Sequence, residues 1–187
     1  MYMIKEFAPL LIYAVLFLLI KISERAVLHR PDNHIRKGWG DWTVWMIVVP
    51  LWLVLLGPIL EFILLGHRPE LWEMIAGGLL FVGAGFFSIK GYLDLEQGFS
   101  KAIELEDTSL VVTGLYHIIR HPISLANILF CVACPLFLAA GPSWIPAIIG
   151  ILGILFRISI EESFIQQNLP DYESYKARTW ALIPYIY

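Results

Sequence analysis

The stretch ISLANILFCVACPLFLAAGPSWIPAIIGILGILF, residues 123–156, is a run of 34 residues without a single charge. A helix needs about 20 apolar residues to cross the hydrocarbon core of a membrane. The run is therefore too long for one straight span and somewhat short for two complete ones. Gly141, Pro142 and Pro146 interrupt the helical pattern near its middle. The stretch predicts two short helices that enter and leave the membrane as a hairpin.

Three further apolar segments precede the hairpin. They extend over Phe7–Ile22, Trp42–Leu65 and Leu71–Leu93, and each is close to the length that a membrane span requires. Together with the hairpin they give about five transmembrane helices. We therefore predict an all-α integral membrane fold, followed by a cytosolic helical segment at the C-terminus.

The composition fits one membrane-embedded domain over residues 1–187. Residues 1–89 would hold the first three spans, and residues 90–187 would hold the hairpin and the C-terminal segment. Charged residues make up 16% of the sequence, whereas soluble domains contain about 25%. The net charge of −3 at pH 7 argues against nucleic acid as a partner, because a nucleic-acid-binding face is basic.

Lysine and arginine residues distinguish the two sides of the membrane. With five spans, all 13 of them except Lys5 and Arg68 fall on one side, in segments 21–41, 90–122 and 157–187. Cytoplasmic loops of membrane proteins carry an excess of these residues. We therefore expect the N-terminus outside and the C-terminus in the cytosol.

Polar side chains stand on both sides of the hairpin. Because the chain crosses the membrane and returns, the residues just before position 123 and just after position 156 should lie at the same membrane face. The side chains brought together in this way are Tyr116, Arg120, His121, Arg157, Glu161 and Glu162. Ionisable residues at a membrane boundary of this kind indicate a functional site.

Each of these residues also has a simpler interpretation. Arg157 and Glu161 are four residues apart, so they could form an ordinary ion pair on one helical face. Arg120 alone could be a membrane anchor, and Tyr116 alone an interfacial aromatic residue. The combination of residues is therefore more informative than any single member.

Two spacings in the chain resemble metal sites. His117 and His121 are four residues apart, but the other three of the five histidines are scattered along the sequence. Cys131 and Cys134 lie inside the uncharged run, where we interpret them as small apolar side chains, since a redox or metal pair needs an accessible thiolate. We expect no metal in this protein.

Three motifs around the hairpin together resemble the isoprenylcysteine carboxyl methyltransferase family and its phospholipid methyltransferase relatives. They are GLYHIIRHP at 114–122, RISIEE at 157–162 and PDYESYKARTWALIP at 170–184. They match the family's Gly-x-Tyr-x-x-x-Arg-His-Pro signature, its paired Glu after an Arg, and its Tyr-x-x-Tyr before a closing apolar-Pro. The resemblance covers roughly residues 90–187, whereas the first two helices match only as generic spans.

This resemblance implies a membrane-embedded methyltransferase that uses S-adenosylmethionine, in a prokaryotic cell membrane. A lipid-like or prenylated acceptor would enter from the bilayer. Glu161 would accept hydrogen bonds from the ribose hydroxyls of the cofactor, and Arg157 would orient the acceptor carboxylate. The residues that the resemblance assigns to cofactor binding are Glu104, Thr108, Ser109, Leu110, Val111, Tyr116, Arg120, His121, Pro122, Ser124, Glu161 and Glu162.

One position departs from the family pattern. The signature usually continues Arg-His-Pro-x-Tyr, whereas this chain has Ser124 where the Tyr is expected. Serine keeps a hydroxyl group but loses the aromatic ring and several ångströms of reach. The departure bears more on the identity of the acceptor than on the cofactor.

Other functions remain open from the sequence. The acceptor could instead be a phospholipid amine, a thiol or a hydroxyl group. An NADPH-dependent sterol or enone reductase has a similar C-terminal region, but the 2′-phosphate of its cofactor would require additional cations beside the pocket. A membrane scaffold or small channel is the non-enzymatic alternative, although a channel would require polar residues through the bilayer.

Overall fold

The structure is a computed structural model that describes residues 2–28, 45–66, 68–104, 112–168 and 172–185, with side chains for 6–23, 45–66, 68–95, 112–167 and 172–185. Over these ranges the chain is helical, without a β-strand. The helices are α1 (Tyr2–Leu28), α2 (Trp45–Leu64), α3 (Leu71–Glu104), α4 (Pro122–Phe137), α5 (Trp144–Asn168) and α6 (Tyr172–Lys176), with a 3₁₀ turn at Gly114–His117.

Four of these helices are long and apolar enough to cross a membrane. The qualifying segments are Glu6–Ser23, Trp45–Leu64, Leu71–Leu95 and Trp144–Gln167. The fifth helix, α4, is apolar but has only 16 residues, fewer than the roughly 20 needed for a full crossing. The prediction of an all-α, multi-pass membrane protein is confirmed.

The hairpin consists of α4 and α5, joined at residues 138–143. Its first helix is short, as predicted, but α5 has 25 residues and extends well past the uncharged run. The expectation of a second short helix is therefore wrong. Arg157 Nε donates a hydrogen bond to Glu161 Oε1 at 2.7 Å within α5, and such pairs allow a helix to continue through charged residues.

Helices α3 and α4 pack closely and antiparallel. A Cβ atom on Gly77 would lie 2.8 Å from the backbone of Phe137, so only glycine permits this approach. At the other end of the pair, the Cβ position of Gly91 lies 3.0 Å from the Ile123 side chain. The end of the bundle at which α4 begins is called the polar end below, and the end with the α4–α5 turn is called the opposite end.

The core is aromatic and centred on Tyr13 of α1. The Tyr13 ring packs edge-on against Phe81, with ring centroids 5.4 Å apart, and its hydroxyl group donates to the Leu55 carbonyl at 2.9 Å. Tyr13 and Phe81 are fully buried, and Tyr13 also contacts the ring of Phe137. This arrangement joins α1, α2, α3 and α4 without leaving the phenol unsatisfied. Cys131 is likewise fully buried and free.

At the opposite end, a hydrogen bond holds the hairpin turn against α2. The Ser143 hydroxyl group donates to Glu61 Oε1 across 82 residues of sequence. The other carboxyl oxygen, Glu61 Oε2, is buried and has no hydrogen-bond partner among the described residues. The contact fixes the turn, and hence the relative position of α4 and α5.

Candidate functional site

A buried ion pair connects the two sides of the hairpin at the polar end. Arg120 Nε donates to Glu162 Oε1 at 2.7 Å, although the two residues are 42 positions apart. The Arg120 side chain is 8% exposed and that of Glu162 is 12% exposed. The polar groups before and after the hairpin therefore lie together, as the sequence predicted.

Arg120 also holds the C-terminal segment. Its Nη1 donates to the backbone carbonyl of Thr179 and, at 3.3 Å, to that of Lys176. The other oxygen of the Glu162 carboxylate, Oε2, lies 3.0 Å from Lys176 Nζ. Each oxygen of the Glu162 carboxylate has a cation beside it, and the side chain is little exposed. Glu162 therefore connects α5 to Arg120 and to Lys176 of α6.

Backbone hydrogen bonds place the residues before α4 against the C-terminal segment. The Arg120 N–H donates to the Trp180 carbonyl at 2.8 Å, and the Trp180 N–H donates to the Ile118 carbonyl at 3.0 Å. The His121 N–H donates to the Ala181 carbonyl at 3.1 Å. These bonds form a short parallel bridge. Proline at the first position of a helix needs no N–H donor, so Pro122 begins α4 directly after it.

Glu161 differs from its neighbour in being accessible. Its side chain is 39% exposed, and its Oε1 accepts from Arg157 Nε within the helix. The second oxygen, Oε2, lies 3.9 Å from His121 Nδ1, which is too long for a hydrogen bond. The structure therefore pairs Arg157 with Glu161, as the simpler interpretation expects, and leaves one accessible carboxylate oxygen facing the site.

His121 lies between the two carboxylates. Its side chain is 11% exposed, with Nε2 3.4 Å from Glu162 Oε1, but this nitrogen has no hydrogen bond of acceptable geometry among the described residues. Burial lowers the pKa of His121, while Glu161 and Glu162 oppose this shift and Arg120 adds to it. The imidazole is therefore neutral at pH 7.

A second buried polar atom without a partner lies beside the same cluster. The Tyr172 hydroxyl group, in α6, has no hydrogen bond to any described residue. Burial and the Glu162 carboxylate raise the pKa of Tyr172 to about 12, whereas Arg120 acts in the opposite direction. Buried polar atoms without partners are rare and expensive, so His121 and Tyr172 together indicate a polar ligand at this place.

Tyr116 is connected to α6 by a hydrogen bond to its backbone. The Tyr175 hydroxyl group donates to the Tyr116 carbonyl at 2.6 Å. Burial, with smaller contributions from Tyr175, Tyr92 and Asp94, raises the pKa of the Tyr116 phenol above its usual value. The phenol therefore stays protonated in any physiological buffer.

The sequence did not point to Asp94, which positions the turn that carries Tyr116. Asp94 is 2% exposed; it accepts from the Leu115 N–H at 2.8 Å and pairs with Lys90. Gly114 has a φ of +61°, and a Cβ atom there would lie 2.2 Å from the Asp94 carboxylate. The signal available in the sequence was an acidic residue four positions after Lys90 within α3.

Two of the remaining predicted site residues lie at the start of α4, next to His121. Pro122 is buried and Ser124 is half-buried, both in the first turn of α4. Glu104 is the last residue of α3, and its side chain lies outside the described part of the chain. Thr108, Ser109, Leu110 and Val111 also lie outside the described residues.

The sequence of this multi-pass helical membrane protein was compared with models of known protein families. A family model for phospholipid methyltransferases matches residues 72–171, which is just over half of the chain. The protein therefore belongs to the phospholipid methyltransferase family, a family of membrane methyltransferases within the superfamily that the sequence motifs indicated. No significant match was found among curated proteins or among solved structures.

Proposed function

We propose that this protein transfers a methyl group from S-adenosylmethionine to a carboxylate on a membrane-partitioned acceptor, an isoprenylated cysteine or an analogue of it. The observation that carries the proposal is the accessible Glu161 carboxylate beside two buried polar atoms, His121 Nε2 and the Tyr172 hydroxyl oxygen, that have no hydrogen-bond partner among the described residues. Family membership supports the reaction class, because methyltransferases of this family typically use this cofactor.

The residues of the cluster fit the polar parts of S-adenosylmethionine. A ribose diol presents two donors, and Glu161 Oε2 is an accessible acceptor. The cofactor carboxylate needs cationic or N–H partners, which Lys176 and the N–H groups at the start of α4 supply. The neutral His121 imidazole would hydrogen-bond the cofactor through Nε2 without adding a charge beside the sulfonium.

The bound cofactor would supply a sulfonium methyl carbon that is attacked in line by a nucleophile. A carboxylate acceptor is already ionised at neutral pH and needs no general base, which agrees with the absence of a Ser-His-Asp arrangement among the described residues. Arg157 would orient that carboxylate without removing its charge. Burial of Arg120 and Glu162 keeps the cluster rigid and excludes water from it.

A second acceptor class has support from the family match. The matching family is described by phospholipids, whose methyl-accepting group is an amine. An amine must lose a proton before it attacks, whereas a carboxylate acceptor needs no base, and the accessible Glu161 carboxylate is already assigned to the ribose. We therefore place the carboxylate acceptor first and the phospholipid amine second.

The proposal includes an orientation in the membrane. The polar end contains Arg120, Arg157 and Lys176, whereas Arg68 lies at the opposite end. The bias of Lys and Arg toward cytoplasmic segments supports a cytosolic polar end, and the proposal takes a prokaryotic cell membrane as the setting.

Calorimetry on the detergent-solubilised protein tests the proposed class. S-adenosylhomocysteine should bind with a stoichiometry of about one per chain, whereas NADPH should give no saturable heat. Saturable binding of NADPH without binding of S-adenosylhomocysteine would instead support a reductase. Binding of neither compound by a protein that unfolds cooperatively would favour a scaffold and contradict the proposal.

A further inference from the structure

The C-terminal segment packs one face against the bundle and leaves another face exposed. After α6, Ala181 and Leu182 are buried, and Leu182 belongs to the hydrophobic core. Trp180, Ile183 and Tyr185 are instead exposed; these three side chains are called the C-terminal patch below. Groups of apolar side chains on a protein surface mark contacts with another protein or with lipid, so the patch calls for an occupant.

Two members of the patch are stacked on each other. The ring centroids of Trp180 and Tyr185 are 5.2 Å apart, with an interplanar angle of 44°. Tyr185 has a φ of +69°, which is uncommon for a residue other than glycine, and it is 88% exposed. The chain therefore turns at Tyr185 to place the ring beside Trp180, although the protein itself buries little of that ring.

The depth of the patch in the membrane follows first from α4. Ile119 and Trp180 form a parallel backbone bridge, and the His121 N–H donates to the Ala181 carbonyl at 3.1 Å. His121 directly precedes Pro122, at which α4 begins. The 16 residues of α4 extend over about 24 Å, whereas the hydrocarbon core is about 30 Å thick. Because α4 is shorter than the core, the residues beside its start lie at the membrane boundary and not beyond it.

Helix α5 gives the same depth independently. Its first residue, Trp144, is exposed at the opposite end, and exposed tryptophans are typical of the membrane–water interface. Glu162 is 18 positions later in the helix, about 27 Å along its axis. Arg120 bonds to Glu162 and to the carbonyl of Thr179, so the residue before Trp180 is held at this level. Two helices therefore place the patch at the interface of the polar end.

We propose that the C-terminal patch inserts into the headgroup region of the bilayer that the protein spans, and that this contact holds the C-terminal segment against the charged cluster. Trp and Tyr concentrate at this depth in membrane proteins, because each combines an apolar ring with a polar N–H or O–H group. The occupant is lipid, since lipid surrounds the bundle at the level of the patch. The inference is independent of cofactor and acceptor, because the depth depends on the helices alone.

The lipid contact is connected to the cluster through the backbone. The carbonyl of Thr179, the residue before Trp180, accepts from Arg120 Nη1. The Trp180 N–H donates to the Ile118 carbonyl at 3.0 Å, and the Arg120 N–H donates to the Trp180 carbonyl at 2.8 Å. Moving the segment away from the cluster would break these bonds and withdraw Trp180 from the lipid at the same time. Lipid should therefore stabilise the arrangement in which the segment contacts the cluster.

Fluorescence quenching in lipid nanodiscs tests the location of the patch. Ile183→Cys and Tyr185→Cys are each labelled with bimane; Cys131 and Cys134 are fully buried, so the wild-type protein is the labelling blank. Lipids with a nitroxide on the headgroup should quench both labels more strongly than lipids with a nitroxide near the end of the acyl chain. Glu173→Cys, at an exposed position of α6, is the control and should be quenched mainly by a water-soluble nitroxide.

The quenching pattern decides between the possible occupants. Stronger quenching by headgroup nitroxides at positions 183 and 185 than at position 173 supports the proposal. Quenching of both labels by the water-soluble nitroxide alone would show that the patch faces water and would overturn the proposal. Shielding from both kinds of quencher would assign the patch to a contact with another protein chain, which would also overturn it.

Hydrogen exchange tests whether the lipid contact supports the cluster. Tyr185→Ser removes a mostly exposed ring, so the melting temperature should match that of the wild-type protein. In nanodiscs, the amide hydrogens of Arg120, His121 and Trp180 should exchange about two- to tenfold faster in this variant, the range expected for loss of one aromatic contact. Tyr185→Phe keeps the ring and should exchange like the wild-type protein.

The same exchange measurement in an amphipol belt, which supplies no headgroup layer, is the control for lipid. There the difference between Tyr185→Ser and the wild-type protein should be smaller than in nanodiscs. An equal ratio in the two environments would show that Tyr185 acts through the Trp180 ring alone, and it would contradict the proposed coupling to lipid.

Discussion

Arg120 and Glu162 are 42 residues apart in sequence and are joined by a 2.7 Å hydrogen bond between Nε and Oε1. The uncharged hairpin of α4 and α5 separates them along the chain and brings them together in space. The same guanidinium holds Thr179 in the C-terminal segment. One side chain therefore connects the start of α4, the polar part of α5 and the end of the chain.

Arg120→Ala should destabilise the protein by about 3 kcal/mol. Removing one partner of a buried ion pair costs about 3–5 kcal/mol, and Lys176 remains beside Glu162, which favours the lower end of that range. Thermal unfolding in detergent measures the effect. Arg178→Ala is the control, because Arg178 is exposed and bonds only to Ser174 among the described residues; its expected change is within about 0.5 kcal/mol. Similar losses in both variants would contradict the central position of Arg120.

Gly114→Ala should disrupt the turn that carries Tyr116. The φ of +61° is unfavourable for alanine by about 1–2 kcal/mol, and its Cβ would displace the buried Asp94 carboxylate. We expect a lower melting temperature and weaker binding of S-adenosylhomocysteine. Gly141→Ala is a matched control, since a Cβ at Gly141 meets nothing within 4 Å. Normal binding in the Gly114 variant would show that this turn does not shape the site.

Stability should fall as the pH decreases below about 6.5. Burial lowers the pKa of His121 in the folded state, whereas an unfolded histidine has a pKa of about 6.5. The unfolded state therefore binds more protons between these two values, and unfolding becomes easier there. Glu161 and Glu162 limit the shift, while Arg120 increases it.

Melting temperatures measured from pH 8 to pH 5 test this dependence. His121→Gln should have a shallower decline than the wild-type protein across the interval, because it removes the titrating group. His117→Gln, which removes a histidine on the preceding turn, is the comparison variant, since the carboxylate contacts belong to His121. A parallel decline in all three proteins would assign the effect to other groups.

Arg157→Ala should separate acceptor binding from cofactor binding. Its ion pair with Glu161 is half-exposed and within one helix, so its loss should cost only about 0.5 kcal/mol of stability. We expect a raised acceptor KM with nearly unchanged affinity for S-adenosylhomocysteine. A variant that loses cofactor affinity while acceptor KM stays constant would reverse the roles proposed for Arg157 and Glu161.

The pH dependence of the rate distinguishes the two acceptor classes. A carboxylate is ionised throughout the neutral range, so kcat/KM for N-acetyl-S-farnesylcysteine should be flat between about pH 6.5 and 8.5. For phosphatidylethanolamine, the rate should rise with pH as the amine loses its proton. Turnover of the amine alone, with such a rise, would replace the carboxylate acceptor with the phospholipid one.

The sequence predicted the parts of the fold that follow from local composition. The uncharged run at 123–156, broken by Gly141 and Pro142, correctly predicted the hairpin, and the hairpin in turn predicted that Arg120 and Glu162 would converge. The sequence did not predict that α5 extends to Asn168. An apolar run shows which residues can lie in the membrane, but a helix can continue into the polar residues that follow.

The features that the sequence did not predict depend on contacts between distant residues. Nothing local showed that Asp94 would accept from Leu115, or that Trp180 would pair with Ile118 through the backbone. Backbone pairing leaves no pattern in side chains, and an acid four residues after Lys90 has the spacing of an ordinary ion pair within one helix.

The most direct test of the central claim is calorimetric binding of S-adenosylhomocysteine to Glu161→Gln, with Glu173→Gln as a matched control at an exposed position. If Glu161 binds the ribose, loss of its charge should weaken binding about 10- to 100-fold, the value of one to two charge-assisted hydrogen bonds, whereas Glu173→Gln should bind like the wild-type protein. Unchanged affinity in a folded Glu161→Gln variant would contradict the proposed cofactor site.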